Sequence, residues 1–317
     1  LMYSFARPLS RLSRLVARRL PIVCVSASKH CPAVVRAFTS CSLDAMSKVE
    51  EEVAAAPAAP TTSADAPNHA SWQQTMLRVK DPEVEVPFWQ TNFGFELVAR
   101  LDFPQWKFSL YFMGTVPEGI TLPEDRTSKE AIDLLWNWPG VLLELTHNHG
   151  TETAEENPYV SGNVEPHRGF GHVAVMTPDV YAACEVLEKN GVTFHKKPDE
   201  GRMKGLAFAL SPSGYWIEVI RGNVAKYTLA QTMIRVKDPA KSVAFYRDHF
   251  GMQLVSEKHF PSAKFSLYFM ATIPAGVTPP KDPKLDGSEW MKNWDGCVLE
   301  LTHNHGTETD ADFSYWN

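Results

Sequence analysis

The stretch VLLELTHNHGTET (141–153) returns almost letter for letter as CVLELTHNHGTET (297–309), 156 residues later. Its first half is a run of Val and Leu, as in a strand buried on both faces, and Gly-Thr then supplies a turn. A carboxylate inside such a strand costs several kcal/mol unless it is neutralised, paired or bound to a cation. Side chains alternate along a strand, so Glu144, Thr146 and Asn148 share one face while His147 and His149 point to the other. His-x-His spacing suits a two-histidine metal clip, but with Glu144 facing a site these histidines face away from it, and they are not the expected ligands.

Working outward, the repeat extends to most of the chain. QQTMLRVKDP (73–82) recurs as AQTMIRVKDP (230–239), and FPQWKFSLYFM (103–113) as FPSAKFSLYFM (260–270), both at an offset of 157. The first copy continues through RGFGHVAVMTPDV (168–180) to GYWIEVIRG (214–222), whereas the counterpart of that half would lie beyond residue 317. The first residue is Leu, so we expect a fragment of a longer chain.

A fainter similarity divides the first copy in two. QTMLRVKDP is an apolar run ending in an Asp-Pro turn, followed by a helical segment that stops at Phe93-Gly94. GHVAVMTPDV is another such run, followed by VYAACEVLEKNG (180–191), in which Val180, Ala183, Cys184 and Leu187 recur at helical spacing. Short strands follow in each unit, KFSLYFM and VLLELTHN in one, GLAFAL and YWIEVI in the other. A strand, a helix and more strands, repeated, give an α+β chain of small modules.

Charge is uneven. The net charge is −6, residues 1–43 contribute +7 with no acidic residue, and the remainder therefore carries −13. An acidic body argues against a nucleic-acid partner, and no apolar run reaches the roughly 18 residues of a spanning helix. Residues 1–45, rich in Arg and Ser with RLSRLVARRL (11–20) able to form an amphipathic helix, have the composition of a transit peptide for a mitochondrion or plastid. A start at Met46 would instead give a cytoplasmic form. Residues 46–70 are low-complexity and read as a linker, leaving 71–225 as the first copy and 226–317 as the second. Cys184 and Cys297 are the body's only cysteines, so no disulfide framework is implied.

Four polar residues sit at matching places in apolar strands of the first copy. Gln74 and Glu144 lie in its first module, His172 and Glu218 in its second. Such a mixed oxygen and nitrogen donor set suits one borderline divalent cation per site, Zn²⁺ first, with Ni²⁺ or Co²⁺ also accommodated.

The segments QQTMLRVKDP, FPxxKFSLYF, LELTHNxGTE, RGFGH, KKPDxGxMKGLAF and GYWIE resemble, in order and spacing, the signatures of glyoxalase I (lactoylglutathione lyase). That family belongs to the vicinal-oxygen-chelate (glyoxalase/bleomycin-resistance) superfamily. The resemblance covers about 72–222 and 229–317, and implies tandem βαβββ modules. It implies isomerisation of the methylglyoxal–glutathione hemithioacetal to S-D-lactoylglutathione on a metal held by Gln, Glu, His and Glu. The metal would polarise vicinal oxygens while a carboxylate moves a proton from C1 to C2. Carried over motif by motif, the ligands are Gln74, Glu144, His172 and Glu218, with Gln231 and Glu300 in the second copy. Glu218, with Glu144 or Glu300, would be the acid–base pair. Arg78, Asn148, Arg168, Lys196, Arg235 and Asn304 would hold glutathione. Phe103, Phe108 and Leu110 would form the apolar pocket for the S-substituent, bordered by Met203.

The family also builds each site from two copies. The second module here would then pair with the third, uniting His172 and Glu218 with Gln231 and Glu300 as one complete site. Gln74 and Glu144 would form a half-site, completed within a longer monomeric chain or in a homodimer. A metal-free, binding-only relative of the same architecture is the alternative. Ring-opening dioxygenation requires two histidines and a carboxylate on iron, which the quartet does not supply.

Overall fold

The computed structural model describes residues 71–201 and 203–316; the expected leader and linker lie outside them. The first module runs β1 (Gln74–Val79), α1 (Pro82–Phe93), β2 (Glu96–Phe103), β3 (Phe108–Gly114), α2 (Lys129–Trp136) and β4 (Leu142–Asn148). The second runs β5 (Phe170–Thr177), α3 (Val180–Lys189), β6 (Phe194–Lys196), β7 (Ala207–Leu210) and β8 (Trp216–Arg221). The third repeats the first as β9 (Thr228–Arg235), α4 (Pro239–Phe250), β10 (Gln253–Phe260), β11 (Phe265–Ala271), α5 (Gly287–Lys292) and β12 (Val298–Asn304).

The repeated Asp-Pro turns start helices. Asp81 accepts a hydrogen bond from the Glu83 amide and Asp238 from that of Lys241, each followed by a proline whose fixed φ suits the first helical turn. Both helices end at a left-handed glycine, Gly94 (φ 61°) and Gly251 (φ 67°). Along α3 the buried residues are Val180, Ala183, Cys184 and Leu187, the stripe expected from spacing. The helices α2 and α5, which the sequence reading did not resolve, cover the outer strands of modules one and three.

Two sheets result. The first module forms a four-stranded sheet in the order β1-β4-β3-β2, with β1 and β4 parallel. Modules three and two merge into one eight-stranded sheet, β10-β11-β12-β9-β5-β8-β7-β6, because their first strands β9 and β5 pair antiparallel. A shared core joins modules one and two, with Trp89, Phe93 and Phe95 packed in one cluster with Val173, Leu187 and Ile217. The two first strands of the copies also touch, through the Thr75 and Thr232 hydroxyls 2.6 Å apart. Cys184 and Cys297 are free and buried.

Glu85 on α1 is fully buried and accepts from the Ser213 amide (3.0 Å) and hydroxyl (2.8 Å), tying module one to the β7–β8 turn. Burial pushes its carboxyl above the ordinary value of 4.5, and the Ser213 bonds only partly offset this. The fold thus holds a proton that the unfolded chain releases first, so stability declines as pH climbs above about 4.5. Glu85→Gln, whose amide oxygen can still accept from Ser213, should escape that decline. Urea unfolding at pH 4 and pH 7.5 should show the variant gaining on wild type by about 1 kcal/mol at the higher pH, the scale of one net hydrogen bond. An equal gap at both pH values would contradict the assignment.

Candidate metal centre

The seam between modules two and three sets four polar side chains on one face. Across it Ala174 of β5 is level with Gln231 of β9 and with Glu218 of β8, and Met233 of β9 is level with Glu300 of β12. Residues two apart in a strand share a face, so His172, Glu218, Gln231 and Glu300 project together from β5, β8, β9 and β12. Their exposures are only 4%, 8%, 5% and 4%.

Their atoms meet. Gln231 Nε2 donates to Glu218 Oε2 at 2.6 Å and to Glu300 Oε2 at 2.8 Å, and lies 3.1 Å from His172 Nε2. His172 Nε2 is 3.3 Å from Glu218 Oε2 and 3.6 Å from Glu300 Oε2. Burial alone would lower the His172 pKa, but Glu218 and then Glu300 outweigh it and push it up to about 9. Two buried carboxylates that hold a proton on a neighbouring imidazole form a pocket in which a dication can replace that proton. Among the described residues, His172, Glu218 and Glu300 are the only group of three or more His, Cys, Asp or Glu whose ligand atoms lie within 4.8 Å of one another. The donor chemistry therefore fits a divalent metal.

Neighbours fix these donors. The Thr302 hydroxyl donates to Glu300 Oε1 at 2.9 Å, leaving Oε2 turned toward the other three. The Phe208 ring stands edge-on to His172 (5.3 Å), Trp216 lies beside Phe208 (5.4 Å), and His195 stacks on Trp216 (3.8 Å). These rings wall one side of the site.

Basic and amide groups gather at the start of β5 and the ends of β9 and β12. Arg235 donates to Gly162 O (3.1 Å), Phe170 O (2.9 Å) and Asn163 Oδ1 (2.9 Å). Burial, then the nearby Arg168 charge, lowers its pKa. Arg168 meets Glu165 at 3.4 Å, and its buried Nε has no hydrogen-bond partner. Asn304 donates to the Tyr315 hydroxyl at 2.7 Å. The Trp316 amide donates to Arg168 O at 2.8 Å, folding 315–316 over this cluster. Only glycine fits beside it, since a Cβ on Gly169 would lie 2.1 Å from Trp316 O.

Other residues singled out from sequence lie differently. Lys196 spends its ammonium on the carbonyls of Lys197, Pro198 and Leu206, bracing the loop that carries exposed Met203. Gln74 and Glu144 meet on the separate four-stranded sheet, where the Gln74 amide and the Thr146 hydroxyl donate to the carboxylate. Burial pushes Glu144 above its ordinary value, while Thr146 and the charge of Arg78 act against this. Gln74 Oε1 is buried without a partner, and Asn148 donates to Tyr159. Phe103, Phe108 and Leu110 also belong to this first sheet. Phe103 stacks on Phe108 at 4.7 Å, and Leu110 packs on the Phe112 cluster. Strand register places Phe260, Phe265 and Leu267 on the face of the four-donor site instead, and the offset of 157 would have found them. Tyr315 was missed too, although Tyr159 prefigures it 156 residues earlier.

The histidines of the opening motif point away from the carboxylates. His147 pairs with Glu152 (2.7 Å) and His149 with Ser109 (2.8 Å). His303 with Glu308 and His305 with Ser266 repeat this at the same distances. They staple the turn after each Glu-bearing strand.

A buried oxygen and nitrogen donor set straddling two βαβββ modules is a candidate cation centre of a paired-module protein. Consistent with this, residues 71–219 and 228–315 match the model of the Glyoxalase/Bleomycin resistance protein/Dioxygenase superfamily. The chain belongs to that superfamily. It is 42% identical over 253 residues to "Glyoxalase I" of Saccharomyces cerevisiae, covering 77% of this chain and 72% of that one. It is 37% identical to "Lactoylglutathione lyase" of Schizosaccharomyces pombe, covering 77% and 75%. The crystal structure of glyoxalase I from Zea mays superposes with a TM-score of 0.54 at 26% identity, covering 74% of this chain and 67% of that one.

Proposed function

We propose that this chain is a lactoylglutathione lyase, isomerising the hemithioacetal of methylglyoxal and glutathione to S-D-lactoylglutathione. The observation that carries the reading is the meeting of Gln231, Glu300, His172 and Glu218 at 2.6–3.6 Å in a buried pocket. Relatives named glyoxalase I and lactoylglutathione lyase support it. His172, Glu218, Glu300 and the Gln231 amide oxygen would hold the ion, Zn²⁺ first, with Ni²⁺ or Co²⁺ compatible with the same donors. When bound, it supplies Lewis-acid polarisation of the substrate's adjacent oxygens.

The chain's own groups do the rest. Glu218 and Glu300 flank the same point from opposite sides of the seam, so either can take the C1 proton and return it at C2. Thr302 holds Glu300 in orientation for that transfer. Arg168 and Asn304 offer donors to the glutathione carboxylates and amides, and Arg235 keeps the surrounding backbone in place. Phe260, Phe265 and Leu267 receive the aldehyde-derived substituent. Gln74, Glu144, Arg78 and Asn148 would work only beside a further His- and Glu-bearing module, from a longer chain or from a second copy.

The test is direct. The full chain, stripped with chelator and reloaded with Zn²⁺, Ni²⁺ or Co²⁺, should bind about one ion and generate thioester absorbance from methylglyoxal and glutathione. Absence of thioester with all three loaded forms would end the proposal.

A further inference from the structure

The outer strands of the site face carry a charge in an apolar setting. Lys258 of β10 is level with Leu267 of β11, Phe260 with Phe265, and Phe269 with Glu300 of β12. Lys258 therefore shares the face of Glu300 and Thr302. Its ammonium lies 5.4 Å over the centre of the Phe269 ring, which is itself buried. The adjacent Glu257 points to the opposite face, where it pairs with His259 and Lys284, so the neighbouring carboxylate does not match the Lys258 charge. The first copy has Leu101 at this position, packed against the cluster that contains Phe112, the counterpart of Phe269. The fold thus accepts an aliphatic residue here, and the half-buried Lys258 sets a cation over the ring in its place.

We propose that Lys258 sets substrate specificity at the four-donor site. It favours adducts of 2-oxoaldehydes whose substituent carries a negative charge or a strong hydrogen-bond acceptor over adducts with an alkyl or aromatic substituent. The inference rests on the glutathione-adduct reading of the site. An ammonium beside the substituent attracts an anion and donates hydrogen bonds to it, whereas an alkyl group gains neither interaction.

Two glutathione thioethers of similar size, S-(2-carboxyethyl)glutathione and S-butylglutathione, isolate that term. Calorimetric binding to the zinc-loaded full chain should show Lys258→Leu weakening the carboxyethyl compound about tenfold or more while the butyl compound binds equally or better. Lys258→Arg should restore the wild-type preference. A preference ratio unchanged within about twofold in correctly melting Lys258→Leu protein would overturn the specificity role while leaving the site reading intact. Failure of wild type to bind either thioether would instead remove the glutathione reading, and the proposal with it.

Discussion

Replacing Glu300 by Ala should abolish both metal retention and turnover, whereas replacing Glu144 by Ala should change neither beyond about twofold. The asymmetry follows from position, since the two residues occupy the same place in copies of the same segment. Glu300 Oε2 lies within 3.6 Å of His172 Nε2 and within 2.8 Å of Gln231 Nε2, on strands that meet at the seam. Glu144 bonds only Gln74 and Thr146, on a sheet that ends at β1. A residue serving as both ligand and proton carrier should cost at least about 10³-fold in kcat/KM when removed. Metal content after dialysis and single-substrate kinetics measure the two effects separately. Equal losses in both variants, or loss confined to Glu144→Ala, would reverse the assignment of the complete site to modules two and three.

The second large effect is expected at Arg168. Its Nε is buried without a partner and its ion pair is a 3.4 Å contact to Glu165, so of Arg168 and Arg235 it is the one with donors to spare. Arg168→Met should raise KM for the hemithioacetal about 10- to 100-fold and leave kcat within about threefold, as loss of one charged hydrogen bond used equally in ground and transition states requires. Arg235→Met should behave otherwise. That side chain holds three backbone and amide oxygens, so its loss should also lower the melting temperature. If kcat rather than KM collapses in Arg168→Met, the residue acts on the reacting atoms and the glutathione role is wrong.

How much of this was legible in the sequence varies by feature. The candidate donors stood out, because a glutamate recurs in three apolar strands, at 144, 218 and 300, beside a Gln or His near the start of the partner strand. Strand alternation alone also placed His147 and His149 off the site, and the His147–Glu152 and His149–Ser109 pairs show what they do instead. Module pairing was not legible from spacing. It came from resemblance, since nothing in β5 or β9 alone says that the two strands share a ladder. The helix α2 escaped notice although Ser128 caps it at Ala131 and its buried Ala131 and Leu135 stand one turn apart; it is short and sits inside the long connection between β3 and β4. Tyr315 bonds Asn304 across the turn that follows β12, a contact that a linear reading of the two residues does not suggest.

The β5–β9 ladder also bears on how the duplication can be inherited. With His172 and Glu218 encoded by one repeat and Gln231 and Glu300 by the other, neither is a spare for its twin. Neither repeat holds all four of these donors by itself, so at this seam the duplication confers interdependence between the copies.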